Sequence, residues 1–142
     1  MKISKFEVEG LFDLYTHKLD FSGSKNNSTE NEQASVIMIF GRNGIGKTTI
    51  LRMIEGLMTL DFDTFRNSKF ASACLSFSNG HQISVKPVFE EKTSNLSHLF
   101  VKYKDLTVRL HPKTKGSLTP DEKEQERTFV EEYNKDLDKF SF

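Results

Sequence analysis

Residues 41–48 read Gly41-Arg42-Asn43-Gly44-Ile45-Gly46-Lys47-Thr48 and match the spacing G-x-x-x-x-G-K-[S/T]. The chemistry this implies is phosphate binding. Phosphate oxygens must meet backbone N–H groups, so side chains must be small where the chain wraps, and Gly41, Gly44 and Gly46 supply that freedom. The N–H groups and the N-terminus of a following helix together make an anion site. Lys47 brings a positive charge to β- and γ-phosphates, and Thr48 offers a hydroxyl to Mg²⁺. Thr49 follows, within reach of an α-phosphate oxygen. Asn43 and Ile45 complete the loop, and Arg42 has two readings, contact with phosphate or a partner, or simple solvation. A chance match in a chain of this length is on the order of one in a few hundred at ordinary glycine usage. The competing reading is a Gly-rich turn between strand and helix.

Such a loop must be positioned by a buried strand before it and an amphipathic helix after it. Val36 to Phe40 is a short continuous apolar run, as expected of a strand covered on both faces. After Gly46 the period becomes helical, with Ile50, Leu51, Ile54, Leu57 and Met58 on one face and Gly56 weakening the end. Upstream, Ser4, Phe6 and Val8 alternate with Lys5, Glu7 and Glu9, which predicts a strand over 2–9 broken at Gly10. Tyr15, His17, Leu19 and Phe21 alternate likewise and predict a second strand. Residues 22–32 contain no apolar side chain and read as a loop.

Downstream, register arithmetic predicts two hairpins. A three-residue loop, Ser78-Asn79-Gly80, pairs Leu75 with Ile83 and Ala73 with Val85, keeping one apolar face and placing Gly80 at the left-handed position. A turn at Lys104-Asp105 pairs Tyr103 with Leu106, Val101 with Val108 and Leu99 with Leu110. Thr119-Pro120-Asp121-Glu122 is a helix start, with a capping Thr, Pro in the first turn and acids near the positive end of the dipole. Phe129, Tyr133, Leu137 and Phe140 form its apolar stripe.

Composition bounds the rest. The chain has 142 residues with 36 % hydrophobic and 28 % charged residues, enough for one domain with a real core. Twenty basic and twenty acidic residues balance, which excludes a generally basic nucleic-acid binder but not local patches. Residues 81–118 carry seven Lys/Arg against three acids, and residues 119–142 carry four against eight. A basic middle and an acidic tail fit either a partner surface or solvated faces. The single Cys74 excludes a disulfide framework and a Cys-rich zinc site, fits a reducing compartment, and reads as a small buried residue. The longest apolar run is five residues, too short for a membrane span or signal core, so a cytoplasmic protein is expected.

The loop has the narrower form G-x-N-G-x-G-K-T-T and resembles the Walker A loop of ABC-type ATPases. The opening Met1-Lys2-Ile3-Ser4-Lys5-Phe6-Glu7-Val8-Glu9-Gly10-Leu11-Phe12, a second strand ending Leu19-Asp20-Phe21, and the loop about twenty residues later resemble the N-terminal lobe of SMC/RecF/OLD-like heads. This group includes DNA-repair ATPases and many AAA-family antiphage ATPases. The resemblance covers roughly residues 1–60. It implies an α/β P-loop NTPase lobe with a mixed sheet, a P-loop helix and an antiparallel β-hairpin subdomain over residues 1–118, with a helical region from 119 to 142. It implies ATP and Mg²⁺ as cofactors, a second ATPase head as partner, and an effector such as a nuclease, with DNA as a further partner.

The departures are as specific. No run of four apolar residues precedes Asp-Glu, since Asp121-Glu122 follows Ser117-Leu118-Thr119-Pro120. Leu75-Ser76-Phe77-Ser78-Asn79-Gly80 echoes a signature motif but lies on a hairpin, and Gln82 and Gln125 are weak counterparts of a Q-loop residue. No catalytic residue is therefore assigned within this chain. The expectation is a portion of a longer head, with a naturally shortened protein as the alternative.

Other candidates keep two readings each. Phe12 and Tyr15 stand where adenine approaches in this family, or simply pack. Lys102, Lys104, Arg109, Lys113 and Lys115 cluster around the second hairpin and face either DNA phosphates or solvent, with no interleaved aromatic beyond Tyr103. His17, His81, His98 and His111 lack metal-ligand spacing and read as strand positions. A small phosphotransferase is a competing function, although its loop would follow the first strand. A non-catalytic subunit using the loop for assembly is another.

Overall fold

A computed structural model describes residues 2–12, 15–21, 46–111 and 120–137. The predicted polar loop at 22–32, the strand at 36–40, the loop residues Gly41 to Ile45, the capping Thr119, Lys113, Lys115 and Phe140 lie outside the described residues. Six strands form one sheet: β1 (Ile3–Leu11), β2 (Tyr15–Asp20), β3 (Ser72–Phe77), β4 (Gln82–Phe89), β5 (Leu96–Tyr103) and β6 (Leu106–Leu110). Their spatial order is β2-β1-β3-β4-β5-β6, and every pairing is antiparallel. Among the described residues the sheet is thus antiparallel, where a mixed sheet was expected. β3 pairs with β1 and β4 with β5, so the hairpins continue the opening strands.

Both predicted registers hold. Ala73 faces Val85 and Leu75 faces Ile83, with Gly80 at φ +89°. Leu99, Val101 and Tyr103 face Leu110, Val108 and Leu106. Side-chain alternation accounts for this, because a one-residue slip would turn every apolar residue to solvent. Gly10 does not end β1. The strand shifts register between Val8 and Leu11, which returns Leu11 to the core with no exposure.

Three helices cover one face of the sheet: α1 (Lys47–Thr59), α2 (Asp63–Asn67) and α3 (Pro120–Leu137). Ile50, Met53 and Leu57 of α1, Phe65 of α2, and Phe129 and Tyr133 of α3 share a single core with the inward strand residues. The buried stripe of α1 runs through Met53, while Leu51, expected on that face, is 54 % exposed. Gly56 is not a weak point of α1 but a close approach. A Cβ there would stand 2.4 Å from the Asp61 carbonyl oxygen. The Asp61 N–H donates back to the Gly56 carbonyl at 2.9 Å, and Leu60 closes the helix in the left-handed conformation.

The core is aromatic where α3 docks. Tyr103 and Tyr133 meet edge to face with centroids 4.9 Å apart, and Phe129 and Phe77 flank them. Such pairs contribute about 0.5–1.5 kcal/mol each beyond the area they bury. No helix among the described residues is long and apolar enough to cross a membrane.

Candidate nucleotide site

The site is built at the N-terminus of α1. Gly46 precedes the helix at φ +93°, ψ +20°, a conformation that L side chains rarely adopt, and its carbonyl accepts the Ile50 N–H at 2.8 Å. Space forbids a side chain there as well. A Cβ on Gly46 would stand 2.6 Å from Leu11 Cδ2 and 3.3 Å from Phe12 Cε2. The last glycine of the loop is therefore seated on the connection between β1 and β2. Leu11 is part of this site although sequence reasoning gave it no role. Its only signal was an apolar residue directly after Gly10.

Lys47, Thr48 and Thr49 form the first turn of α1, with Thr48 exposed and its two neighbours half-buried. No side chain caps this helix end, and its first turn carries no acid. Among the described residues no carboxylate of the first turn meets the positive end of the dipole, which suits an anionic ligand. Of the predicted binding residues, the structure brings Gly46, Lys47, Thr48 and Thr49 together. Gly41, Arg42, Asn43, Gly44 and Ile45 lie outside the described residues.

Phe12 is 40 % exposed, has φ +54°, and is held by a hydrogen bond from its N–H to the Lys69 carbonyl at 2.8 Å. It stands beside Gly46, whereas Tyr15 stacks on His17 along β2, with ring centroids 5.8 Å apart. Of the two aromatics considered for the base, only Phe12 is shown beside the loop.

At its other end α1 is tied to α3. The Tyr133 hydroxyl donates to the Leu57 carbonyl at 2.6 Å, and both are buried. One turn on, the Tyr103 hydroxyl donates to Asp136 Oδ2 at 2.6 Å. The Lys104 ammonium stands 2.7 Å from that oxygen and 3.2 Å from Glu132 Oε1. Asp136 is the only buried charged residue among those described. The hydrogen bond to Asp136 is the first cause holding the Lys104 ammonium above its usual value. Sequence reasoning missed this network because its partners are 28 to 76 residues apart. A cleft of about 370 Å³ also opens at the C-terminal end of α1, between Asp61, Arg66 and Phe129, away from the N-terminal turn of that helix.

The remaining candidates separate. His98 and His111 lie with ring centroids 5.8 Å apart, and His111 Nε2 is 3.3 Å from Glu122 Oε2. Burial, then Arg109 and His111, lower the basicity of His98. His81 falls in the turn before β4 rather than on a strand. Among the described residues no group of His, Cys, Asp and Glu could hold a metal ion. Cys74 is half-buried on the outer face of the sheet, not in the core, and burial pushes its thiol up.

The family model for the ABC transporter matches residues 24–139, which span the loop motif, α1, α2, β3 to β6 and α3. The chain belongs to the ABC transporter family. No curated protein matches it. As an ABC-type P-loop ATPase head it is a nucleotide-binding protein, and the family implies ATP, usually with Mg²⁺. The described residues fit that cofactor. The uncapped turn offers its N–H groups to phosphate, Lys47 offers an ammonium, and the exposed Thr48 offers a hydroxyl that would hold the cation. Mg²⁺ bound there would neutralise phosphate charge.

Proposed function

We propose that this chain is the ATP-binding lobe of an SMC-like head that acts in DNA-related maintenance or antiphage defence. The observation that carries this reading is the seating of Gly46 on Leu11 and Phe12. It ties the opening pair β1 and β2, which precedes the loop as in SMC/RecF/OLD-like heads, directly to the phosphate-binding turn. ATP phosphates lie on the N–H groups of that turn, Lys47 carries their charge, Thr48 holds Mg²⁺ and Thr49 meets the α-phosphate. ATP then draws two heads together, each loop meeting the signature motif of the other, and hydrolysis releases them. An effector such as a nuclease would read that cycle, in the cytoplasm.

The carboxylate that activates water is not supplied by the apolar-run-plus-Asp-Glu pattern in this sequence. The chain alone therefore binds ATP without turning it over. Fluorescent ATP-analogue binding to the chain and to Lys47→Ala tests the site, with light scattering to follow association. Binding that weakens at least about tenfold in Lys47→Ala is expected, since a hydrogen bond to charge is worth ~1.5–3 kcal/mol. Equal binding by both proteins overturns the site. Nucleotide binding without any ATP-dependent rise in mass overturns head pairing.

A further inference from the structure

The three helices share the core face of the sheet, so the opposite face is left to solvent and ligands among the described residues. Over β4, β5 and β6 this outer face is a grid of nine positions. Lys86, Phe100 and Arg109 lie directly opposite one another in one row. Ser84, Lys102 and Thr107 form the row on one side, and Val88 and His98, with His111 beside them, the row on the other. None of the nine is a carboxylate. Lys86, Lys102 and Arg109 are all exposed and make no ion pair among the described residues, and Phe100 between them is half-exposed. Strand spacing of ~4.8 Å places Lys86 and Arg109 roughly 10 Å apart, one on each side of the Phe100 ring.

The other half of the same face is different. On β1 and β2, Lys5 pairs with Glu7, Lys18 lies opposite Glu7, and Asp20 lies opposite Lys5. That half is self-neutralised, as an ordinary solvated sheet surface is. Among the described residues, Lys86, Lys102 and Arg109 on the β4–β6 half make no ion pair around the aromatic, and Glu122 stands against His111 at its edge. The basic cluster read from the sequence is redistributed to match. Lys102 and Arg109 belong to this face, whereas Lys104 is held on the other side by Asp136 and Glu132. The interleaved aromatic is Phe100, because Tyr103 is fully buried.

We infer that the outer face of β4–β6 binds an unpaired polynucleotide, with Lys86, Lys102 and Arg109 on its phosphates and Phe100 stacked on a base. A duplex hides its base faces, so it would use the cations but not the ring. An anionic lipid surface would also use the cations, but a half-exposed ring in the middle of a row of cations offers it little apolar area. This inference uses no residue of the nucleotide site.

The test is fluorescence anisotropy of the full chain without nucleotide, using labelled oligo-dT and oligo-U of about 20 nucleotides, long enough for one site. A matching duplex and phosphatidylserine-containing vesicles serve as comparisons. Three phosphate contacts predict a slope of log K against log salt of roughly −2, which flattens by about 0.7 in Lys102→Ala. Phe100→Leu should weaken binding at least about fivefold with the slope unchanged, and Phe100→Tyr should restore it. Lys18→Ala, on the neutralised half, should bind as the parent does. Tighter binding to duplex, binding to vesicles alone, an unaffected Phe100→Leu, or Lys18→Ala as weak as Lys102→Ala would each overturn the inference. The oligo-dT and oligo-U arms decide between DNA and RNA as the source of the strand. Since the measurement needs no ATP, a failure of nucleotide binding leaves it standing.

Discussion

Replacing Tyr133 by Phe removes one oxygen and leaves the ring. That oxygen donates to the Leu57 carbonyl at 2.6 Å. Leu57 lies in the last turn of α1, where carbonyls have no acceptor role within the helix and need an outside donor. Tyr133 is fully buried, so water cannot take the place of the hydroxyl without repacking. The loss is then an unmade hydrogen bond to a buried acceptor, about 1–2 kcal/mol. Unfolding entropy scales with length, so for this chain ~1.5 kcal/mol corresponds to a fall in Tm of roughly 5 °C. Thermal unfolding followed by circular dichroism measures it. Tyr133→Ala serves as the upper mark, because losing the ring as well costs about 3–5 kcal/mol. A Tm for Tyr133→Phe within about 1 °C of the parent would show that α1 and α3 are joined by packing alone, and the reasoning would fail.

Three further outcomes are expected. Gly56→Ala should destabilise the protein although Ala is the better helix former by ~1 kcal/mol, because its Cβ would meet the Asp61 carbonyl oxygen at 2.4 Å; a rise in Tm would contradict the close approach. Lys104 sits at φ +54°, so Lys104→Gly should retain a Tm about 3 °C above that of Lys104→Ala, both having lost the ammonium that faces Asp136 and Glu132; equal values would mean that the turn carries no strain. Burial raises the pKa of the Tyr103 hydroxyl, with its hydrogen bond to Asp136 next, and burial alone raises that of Tyr133. Above the unfolded value of ~10 the unfolded chain releases these protons while the folded chain keeps them. Stability is therefore full below pH ~10 and falls above it by about 1.4 kcal/mol per pH unit per tyrosine. Urea titrations of the parent and of Tyr103→Phe/Tyr133→Phe between neutral pH and pH 11 read the difference, and identical alkaline slopes would refute it.

Local rules were enough for much of this molecule. Period-two alternation placed β1 to β6 in kind. Loop arithmetic at Ser78–Gly80 and Lys104–Asp105 placed both hairpin registers, since one buried face leaves a single consistent pairing. The spacing from Gly41 to Thr48 named the phosphate chemistry, because the residue types that wrap a phosphate are few and their order is set by the backbone. What the sequence did not contain was anything that depends on which elements meet. Gly10 read as a strand end, yet the pairing with β2 resumes at Leu11 beyond it. Gly56 read as a weak helix residue, yet it is where the chain folds back on itself at Asp61. Leu11 became the floor beneath Gly46 in the proposed phosphate-binding turn, and Tyr133 the tether of its helix, only through contacts between distant segments. The charge of the β4–β6 face was equally hidden, since Lys86, Phe100 and Arg109 are 14 and 9 residues apart in the chain and neighbours only across two ladders. The sequence alone determined β1 to β6, α1 and α3 in kind and suggested the chemistry of the loop, because backbone sterics and side-chain period act within a few residues. Tertiary structure alone decided which side chains share a surface, because packing depends on position in space.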